Sequence, residues 1–312
     1  MSAEISVVIA AYNAEAYIER AIRSALEWQN AAVEIIVVND ASTDNTSGIV
    51  SGIGDPRVKL LTLSQNGGPS VARNAGFAMA SAPWIAVLDG DDAFLPNRLL
   101  LCLTRARAID ADIVVDNINI YREADQSTYP MFAPHQFSRF SVLTLANFID
   151  GNHCFLGGSA LGYLKPIFKT EFLRKHELRY DPALRIGEDY LLMCEALASG
   201  GRCAVVGTPG YLYTVRAGSI SHRLTLADLE RIADGDKKFL AHHKLDLAAA
   251  RAQKRRNYAV REARAFIKLV DAIKARDLKA CANAIAEYPP AALHLWRPVW
   301  VRMKRLFKWP RN

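Results

Sequence analysis

Two acidic clusters have the residue types and spacing for chemistry. Asp89-Gly-Asp-Asp92 follows the short apolar run Trp84 to Leu88. Carboxylates two apart in a tight turn can share one hard divalent cation, Mn or Mg, of the kind that bridges a diphosphate. Gly90 lets the backbone turn and leaves room for a ligand. The competing reading is a solvated acidic loop, because aspartate is a common turn residue. The second cluster, Gly187-Glu188-Asp189, opens an apolar helical pattern. Acids there often do no more than complement the helix dipole.

Three further segments could hold a ligand. Asp40, in Val37-Val-Asn-Asp-Ala-Ser-Thr-Asp44, directly follows an apolar run, and its carboxylate can accept a hydrogen bond from the imide N–H of a uracil. Asp44 reads as a turn or capping residue, and Ser42 or Thr43 as a helix cap. Tyr12, just past the first apolar run, can stack on a base or be an ordinary half-buried aromatic. Gly67-Gly68-Pro-Ser-Val-Ala-Arg73 puts a glycine pair before a helix N-terminus, which suits close approach to a phosphate or sugar. Arg73 can reach a donor or pair with the neighbouring acids. Neither the Walker pattern nor G-x-G-x-x-G occurs, which argues against a kinase or an ordinary dinucleotide enzyme.

The elements that must position these residues alternate. Ile5 to Ala10 reads as a strand buried on both faces, and Glu34 to Val38, Val58 to Leu63, Trp84 to Leu88 and Ile113 to Val115 read as further strands. Between them, Tyr17, Ile18, Ala21, Ile22, Ala25 and Leu26 recur at helical spacing. Further helices are expected from Thr43 to Ser51, from a cap at Ser70 to about Ala80, and from Pro96 to Ile109, with the proline in the first turn. Such alternation predicts an α/β fold, a mainly parallel twisted sheet flanked by helices. Ligands of such sheets sit beyond the carboxyl ends of the strands, where Ala11-Tyr12-Asn13, Asn39 to Asp44, the loop around Asn66 to Ser70 and Asp89 to Asp92 should converge. The middle, about 120 to 222, is less regular: Gly157-Gly158-Ser159, a strand Ala160 to Phe168 and the helix at Gly187. After Leu224 the pattern is helical, with an apolar stripe of Tyr258, Ala263, Phe266, Ile267 and Val270, up to Pro289-Pro290.

The 312 residues are 51% hydrophobic and 23% charged, the balance of a globular protein with a sizeable core. Five cysteines without metal-type spacing read as packed free thiols of a reducing compartment. No secretory signal and no spanning helix are apparent, so a cytoplasmic protein is expected, either free or on the cytoplasmic face of a membrane. The net charge is +7. From Trp296 onward Arg297, Arg302, Lys304, Arg305, Lys308 and Arg311 occur without one acid, interleaved with Trp300, Phe307 and Trp309. A basic, tryptophan-bearing amphipathic tail suits an anionic membrane surface; a helix packed on the catalytic domain is the alternative. No base-reading motif accompanies the tail, so nucleic acid is not an expected partner.

In order and spacing, Ser6-Val-Val-Ile-Ala-Ala-Tyr-Asn13, Val37 to Asp44, Ser70-Val-Ala-Arg-Asn-Ala-Gly76, Leu88-Asp-Gly-Asp-Asp92, Phe94-Leu-Pro-Asn-Arg98 and Gly187-Glu-Asp189 resemble the family-two glycosyltransferases of A-type nucleotide-sugar fold. A narrower resemblance is to bacterial exopolysaccharide glucosyltransferases of the succinoglycan type. The resemblance implies a catalytic domain over 1–223, with a nucleotide-sugar half to about 120 and an acceptor half over 121–223. A helical extension over 224–290 and the tail 291–312 follow. It places Ala10, Tyr12, Asp40, Arg73, Asp89, Gly90 and Asp91 at a UDP-sugar donor. Asp91 is the direct ligand of Mn or Mg with Asp89 beside it, Asp189 is the catalytic base, and Glu188 and Asp92 lie around the acceptor or behind these groups. Asn39 departs from the second aspartate frequent in relatives. His222 lies where some relatives fold over the diphosphate; a surface-loop histidine is the alternative. The implied reaction is an inverting transfer of a hexose, glucose by likeness, to a carbohydrate or lipid-linked oligosaccharide. Nucleotidyl transfer on a related sheet and a non-catalytic nucleotide-sugar-binding protein are the rival readings.

Overall fold

Within the parallel N-terminal part of the sheet the strand order reverses at the chain's first strand, and Asp89 emerges beside that point. The computed structural model describes residues 2–27, 31–133, 137, 140–152, 160–216 and 224–295. Strands β1 (Ile5–Ala11), β2 (Val33–Asn39), β3 (Val58–Thr62) and β4 (Trp84–Asp89) alternate with helices α1 (Ile18–Glu27), α2 (Thr46–Gly52) and α3 (Pro69–Met79). They lie in the order β3-β2-β1-β4, all parallel. β1 therefore has the chain's second strand on one side and its fourth on the other. The crevice at such a reversal lies at the carboxyl ends of β1 and β4, next to Asp89.

Burial explains the strands. Every residue of β2 is buried, as in a strand covered on both faces. α1 turns Ile18, Ala21, Ile22 and Ala25 inward, on the stripe its spacing predicts. α3 lies so close to β1 that a Cβ on Gly76 would overlap Val8 and come within 3.3 Å of Val38. We expect Gly76→Ala to cost about 1–3 kcal/mol through overpacking, seen as a lower urea midpoint at unchanged slope.

Beyond β4 the sheet turns mixed. The order continues β9 (Ile167–Lys169), β6 (Ile113–Arg122), β10 (Cys203–Val215), β5 (Ala93–Phe94), with β7 (Ser127–Pro130) on β6 and β8 (Val142–Leu143) on β10. β9 is antiparallel to both β4 and β6, whereas β10 is parallel to β6. The expected strand Ala160–Phe168 is instead a 3-10 turn, Leu161–Tyr163, followed by the short β9. Asn152 drives that turn, since its Oδ1 accepts the Gly162 N–H at 2.6 Å. β6 runs ten residues rather than three. The expectation ended at the polar pair Asp116-Asn117, but both are buried and satisfied. Asp116 pairs with Arg98 at 2.7 Å, and the Asn117 amide donates to the Phe132 carbonyl at 2.9 Å.

Helix starts also differ. Ser70 does not cap α3: Gly68, at φ 84°, precedes Pro69, and the Ser70 hydroxyl donates to the Leu184 carbonyl at 2.8 Å. Helix α4 (Arg98–Ala108) begins after Asn97, which is left-handed at φ 63°, so Pro96 lies outside it. At α2, Asn45 occupies the cap position, while Asp44 Oδ1 accepts the Thr46 N–H at 3.0 Å. Ser42 instead accepts the Asn13 N–H, tying the β1 and β2 loops together.

After residue 224 come helices Leu226–His242, Leu247–Ala275 and Leu278–Glu287 and the 3-10 segment Pro289–Leu295. The buried face of Leu247–Ala275 carries Ala249, Ala252, Arg256, Val260, Ala263 and Leu269, and Tyr258 lies exposed outside it. Arg256 is the reason: a buried cation occupies a position that counting apolar residues passes over. Its guanidinium pairs with Asp236 at 2.9 Å and lies 3.6 Å from the centre of the Tyr190 ring. Cys102, Cys194 and Cys203 are buried free thiols. No helix among the described residues is long and apolar enough to cross a membrane. Gly157-Gly158-Ser159, His222 and the tail from Trp296 lie outside the described residues.

Candidate active site

The site is built from the end of β4 outward. Gly90 N–H donates to the Ala10 carbonyl at 3.2 Å, and a Cβ on Gly90 would sit 3.2 Å from that oxygen. The turn thus lies directly on β1. Asp89 N–H donates to the Tyr211 hydroxyl at 3.1 Å, and that hydroxyl donates to Asp92 Oδ2 at 2.7 Å. Asp92 Oδ1 accepts the Thr214 N–H at 2.8 Å. Asp92 therefore fastens the acidic turn to β10 from behind. Its burial, reinforced by the charges of Asp89 and Asp91, pushes its carboxyl well above the usual range.

Asp91 points the other way and keeps about a quarter of its side chain accessible. Arg216 Nε donates to its Oδ2 at 2.9 Å, and the guanidinium lies 5.1 Å from the centre of the Tyr17 ring. Arg20 braces the backbone, donating to the Asp91 carbonyl at 2.6 Å and to Thr214 Oγ1 at 2.7 Å.

Asp40 is buried beyond β2, and its two oxygens accept the Gly67 and Gly68 N–H groups at 2.8 Å each. The glycine pair, expected to approach a phosphate, here anchors the Asp40 carboxylate. Each carboxylate oxygen has a second lone pair, so an imide N–H can still be accepted. Tyr12, past the end of β1, is 46% exposed. Ala10 is partly buried beside it.

Arg73 is where the sequence left two readings, and pairing with the acids is what the structure shows. Its buried guanidinium donates to Asp89 Oδ1 at 2.6 Å, Glu188 Oε1 at 2.8 Å and Asp189 Oδ1 at 3.1 Å. α3 supplies Arg73, β4 supplies Asp89, and the helix Glu188–Ala198 supplies the other two. That helix starts where the sequence predicted, behind Gly187 at φ 85°. Sequence reasoning missed Lys165, which is 5% exposed and bonds Asp189 Oδ2 at 2.7 Å and Asp89 Oδ2 at 2.8 Å. The available signal was a lone lysine within Leu161-Gly-Tyr-Leu-Lys-Pro-Ile-Phe168, because a buried lysine demands a buried anion. It also missed Tyr211, Thr214 and Arg20.

Two buried cations thus meet three acids, the pairing that makes burying charge tolerable. Burial opposes the charge on Asp89, but Lys165 and then Arg73 outweigh it and hold that carboxyl well below the usual range. Burial, with the charge of Asp189 next, raises the Glu188 carboxyl. Burial opposes the Lys165 ammonium too, yet Asp189 and Asp89 hold its pKa well above the ordinary value.

No group of three or more His, Cys, Asp or Glu side chains able to hold a metal occurs among the described residues. Both Asp89 oxygens are on cations. Asp91, whose carboxylate stays partly accessible, is the residue of this turn that would hold a hard divalent ion.

This architecture has solved counterparts. S. aureus TarS in complex with UDP-GlcNAc aligns over 92% of this chain and 92% of that one, with TM-score 0.61 at 21% identity. Mannosyltransferase PcManGT from Pyrobaculum calidifontis, in complex with GDP-Man and Mn2+, aligns over 99% and 83%, with TM-score 0.62 at 15% identity. The fold is that of the A-type glycosyltransferases. A family profile, "Glycosyl transferase family 2", matches residues 6–172, and the chain belongs to that family. Among curated relatives, the succinoglycan biosynthesis protein ExoO of Rhizobium meliloti (strain 1021) is 44% identical over 97% of this chain and 87% of its own length. ExoU of the same strain, also a succinoglycan biosynthesis protein, is 35% identical over 83% and 76%. The enzyme is a glycosyltransferase.

Proposed function

We propose that this enzyme transfers a hexose, glucose in our reading, from a UDP-sugar to a hydroxyl of a lipid-linked oligosaccharide, with inversion, in exopolysaccharide or cell-surface glycan assembly. The observation that carries the reading is Asp189, a carboxylate held by two cations beside the donor-side Asp89. The names of the two rhizobial relatives support the glycan context, and the UDP-GlcNAc bound to TarS supports a uridine donor. Asp40 accepts the uracil imide N–H and Tyr12 stacks on the base. Asp189 takes the acceptor proton as that oxygen attacks the anomeric carbon from the face opposite the diphosphate. Asp91 would hold Mn or Mg, which when bound would supply positive charge to the departing diphosphate. Asp92 and Glu188 support these groups from behind and beside them. Residues 1–223 form the catalytic domain in this scheme, with 224–290 as a helical extension.

A thermal-shift panel of nucleotide sugars with and without manganese tests the donor, since a ligand that binds only the folded state raises Tm by mass action. UDP-glucose with manganese should raise Tm, and GDP-mannose should not. Stabilisation by a guanosine or thymidine sugar alone would end the uridine assignment.

The basic, tryptophan-bearing tail serves in the same proposal as a peripheral anchor on the cytoplasmic face of the inner membrane. In liposome flotation, the full chain should rise with anionic vesicles and stay down with neutral ones, and salt should release it. A protein that ignores anionic vesicles has no such anchor.

A further inference from the structure

Asp89 and Asp189 stand 100 residues apart in the sequence, yet they face the same two cations. Arg73 Nη2 holds Asp89 Oδ1 at 2.6 Å, and its Nη1 holds Asp189 Oδ1 at 3.1 Å. Lys165 Nζ holds the other oxygen of each, Asp89 Oδ2 at 2.8 Å and Asp189 Oδ2 at 2.7 Å. The four contacts close a ring in which every oxygen of both carboxylates rests on a cation. We propose that Lys165 is a positioning residue that closes this ring and so sets the separation and orientation of the base relative to the donor-side carboxylate. The proposal rests on Asp189 being the base.

One cation alone would not achieve this. Arg73 is shared with Glu188, and a carboxylate held through one oxygen can still rotate about its Cβ–Cγ bond. A second cation on the second oxygen stops that rotation at both ends together. Lys165 is itself fixed from behind. Its carbonyl accepts Arg98 Nη2–H at 2.6 Å, and Arg98 is locked on buried Asp116. On its N-terminal side is the Leu161–Tyr163 turn that Asn152 holds. The ammonium therefore projects from a rigid base into the gap between β4 and the helix Glu188–Ala198.

In this reading Asp40, Tyr12 and Asp91 carry donor affinity, and the carboxylates that Lys165 holds are Asp89 and Asp189, so its loss should act mainly on turnover. With UDP-glucose and manganese, following UDP release, Lys165→Met should lower kcat about 100-fold, the cost of misplacing a reacting group by roughly 1 Å. The KM for UDP-glucose should stay within about threefold of wild type, since uniform binding is untouched. Lys165→Ala removes the stem as well, and n-propylammonium should restore its turnover saturably while doing nothing for Asp189→Asn. A kcat near wild type, or a KM that rises as far as kcat falls, would overturn the proposal. A wild-type enzyme that does not turn over UDP-glucose counts against the proposed donor instead. The ring is then decided by the crystal structure of Lys165→Met: an Asp189 carboxylate turned away from Asp89 upholds it, and one that has not moved overturns it.

Discussion

Asparagine at position 189 is expected to abolish glycosyl transfer while leaving UDP affinity within about threefold of wild type, because the loss falls on the chemical step alone. A positioned general base contributes roughly 10²–10⁴-fold, and an amide of the same shape cannot take the proton. The substitution also removes one negative charge from a buried cluster, which ordinarily endangers the fold. Here Glu188 offsets it. Burial, and after it the charge of Asp189, raises the Glu188 carboxyl. Without that charge Glu188 ionises more readily, and Arg73 and Lys165 still face two carboxylates, Asp89 and Glu188. The variant should therefore fold. Isothermal titration with UDP and a UDP-release assay check both halves; turnover near the wild-type rate would remove Asp189 from the base role.

Asp91→Ala is expected to erase the cation dependence of donor binding. Wild type should bind UDP about ten- to a hundredfold more weakly with chelator than with manganese, a coupling in the range that one ligand usually exerts on another. The variant should be indifferent. Arg216 gives the variant a second signature. In the structure it holds Asp91 Oδ2 at 2.9 Å. Once it loses that partner, its charge stays beside the proposed diphosphate site, so chelator-resistant affinity should not fall below that of chelated wild type. A variant that keeps the full manganese response would place the cation elsewhere.

The half of the fold built from local pattern was legible. β1, β2 and β4 could be read because each is a short apolar run buried along nearly its whole length, and β3, part exposed at the sheet edge, because its apolar residues still recur. Asp40, Asp89 and Asp189 were singled out because each follows a strand or opens a helix. What escaped was set by partners distant in sequence. β6 looked three residues long because Asp116 seemed to end it, and only Arg98 makes a buried aspartate tolerable there. Arg256 hid the true face of its helix for the same reason, its partner being Asp236. Lys165 sits in an apolar stretch that suggested a long strand, and its two carboxylates lie 76 and 24 residues away along the chain. The glycine pair was read as a place for close approach to a phosphate or sugar, whereas its N–H groups hold the carboxylate of Asp40 in the protein itself. Buried charge is thus the common thread: pattern reading assigns it to the surface, and the fold pairs it inside.

Inversion at the anomeric carbon is the central expectation of the proposed mechanism, because a single base opposite the leaving diphosphate permits no other outcome. The direct measurement is the proton NMR coupling at the anomeric centre of the glycoside formed from an α-linked UDP-glucose donor. An inverting enzyme gives the large diaxial coupling of a β-glucoside, present in wild type and lost with the product in Asp189→Asn. An α-glucoside would contradict the mechanism.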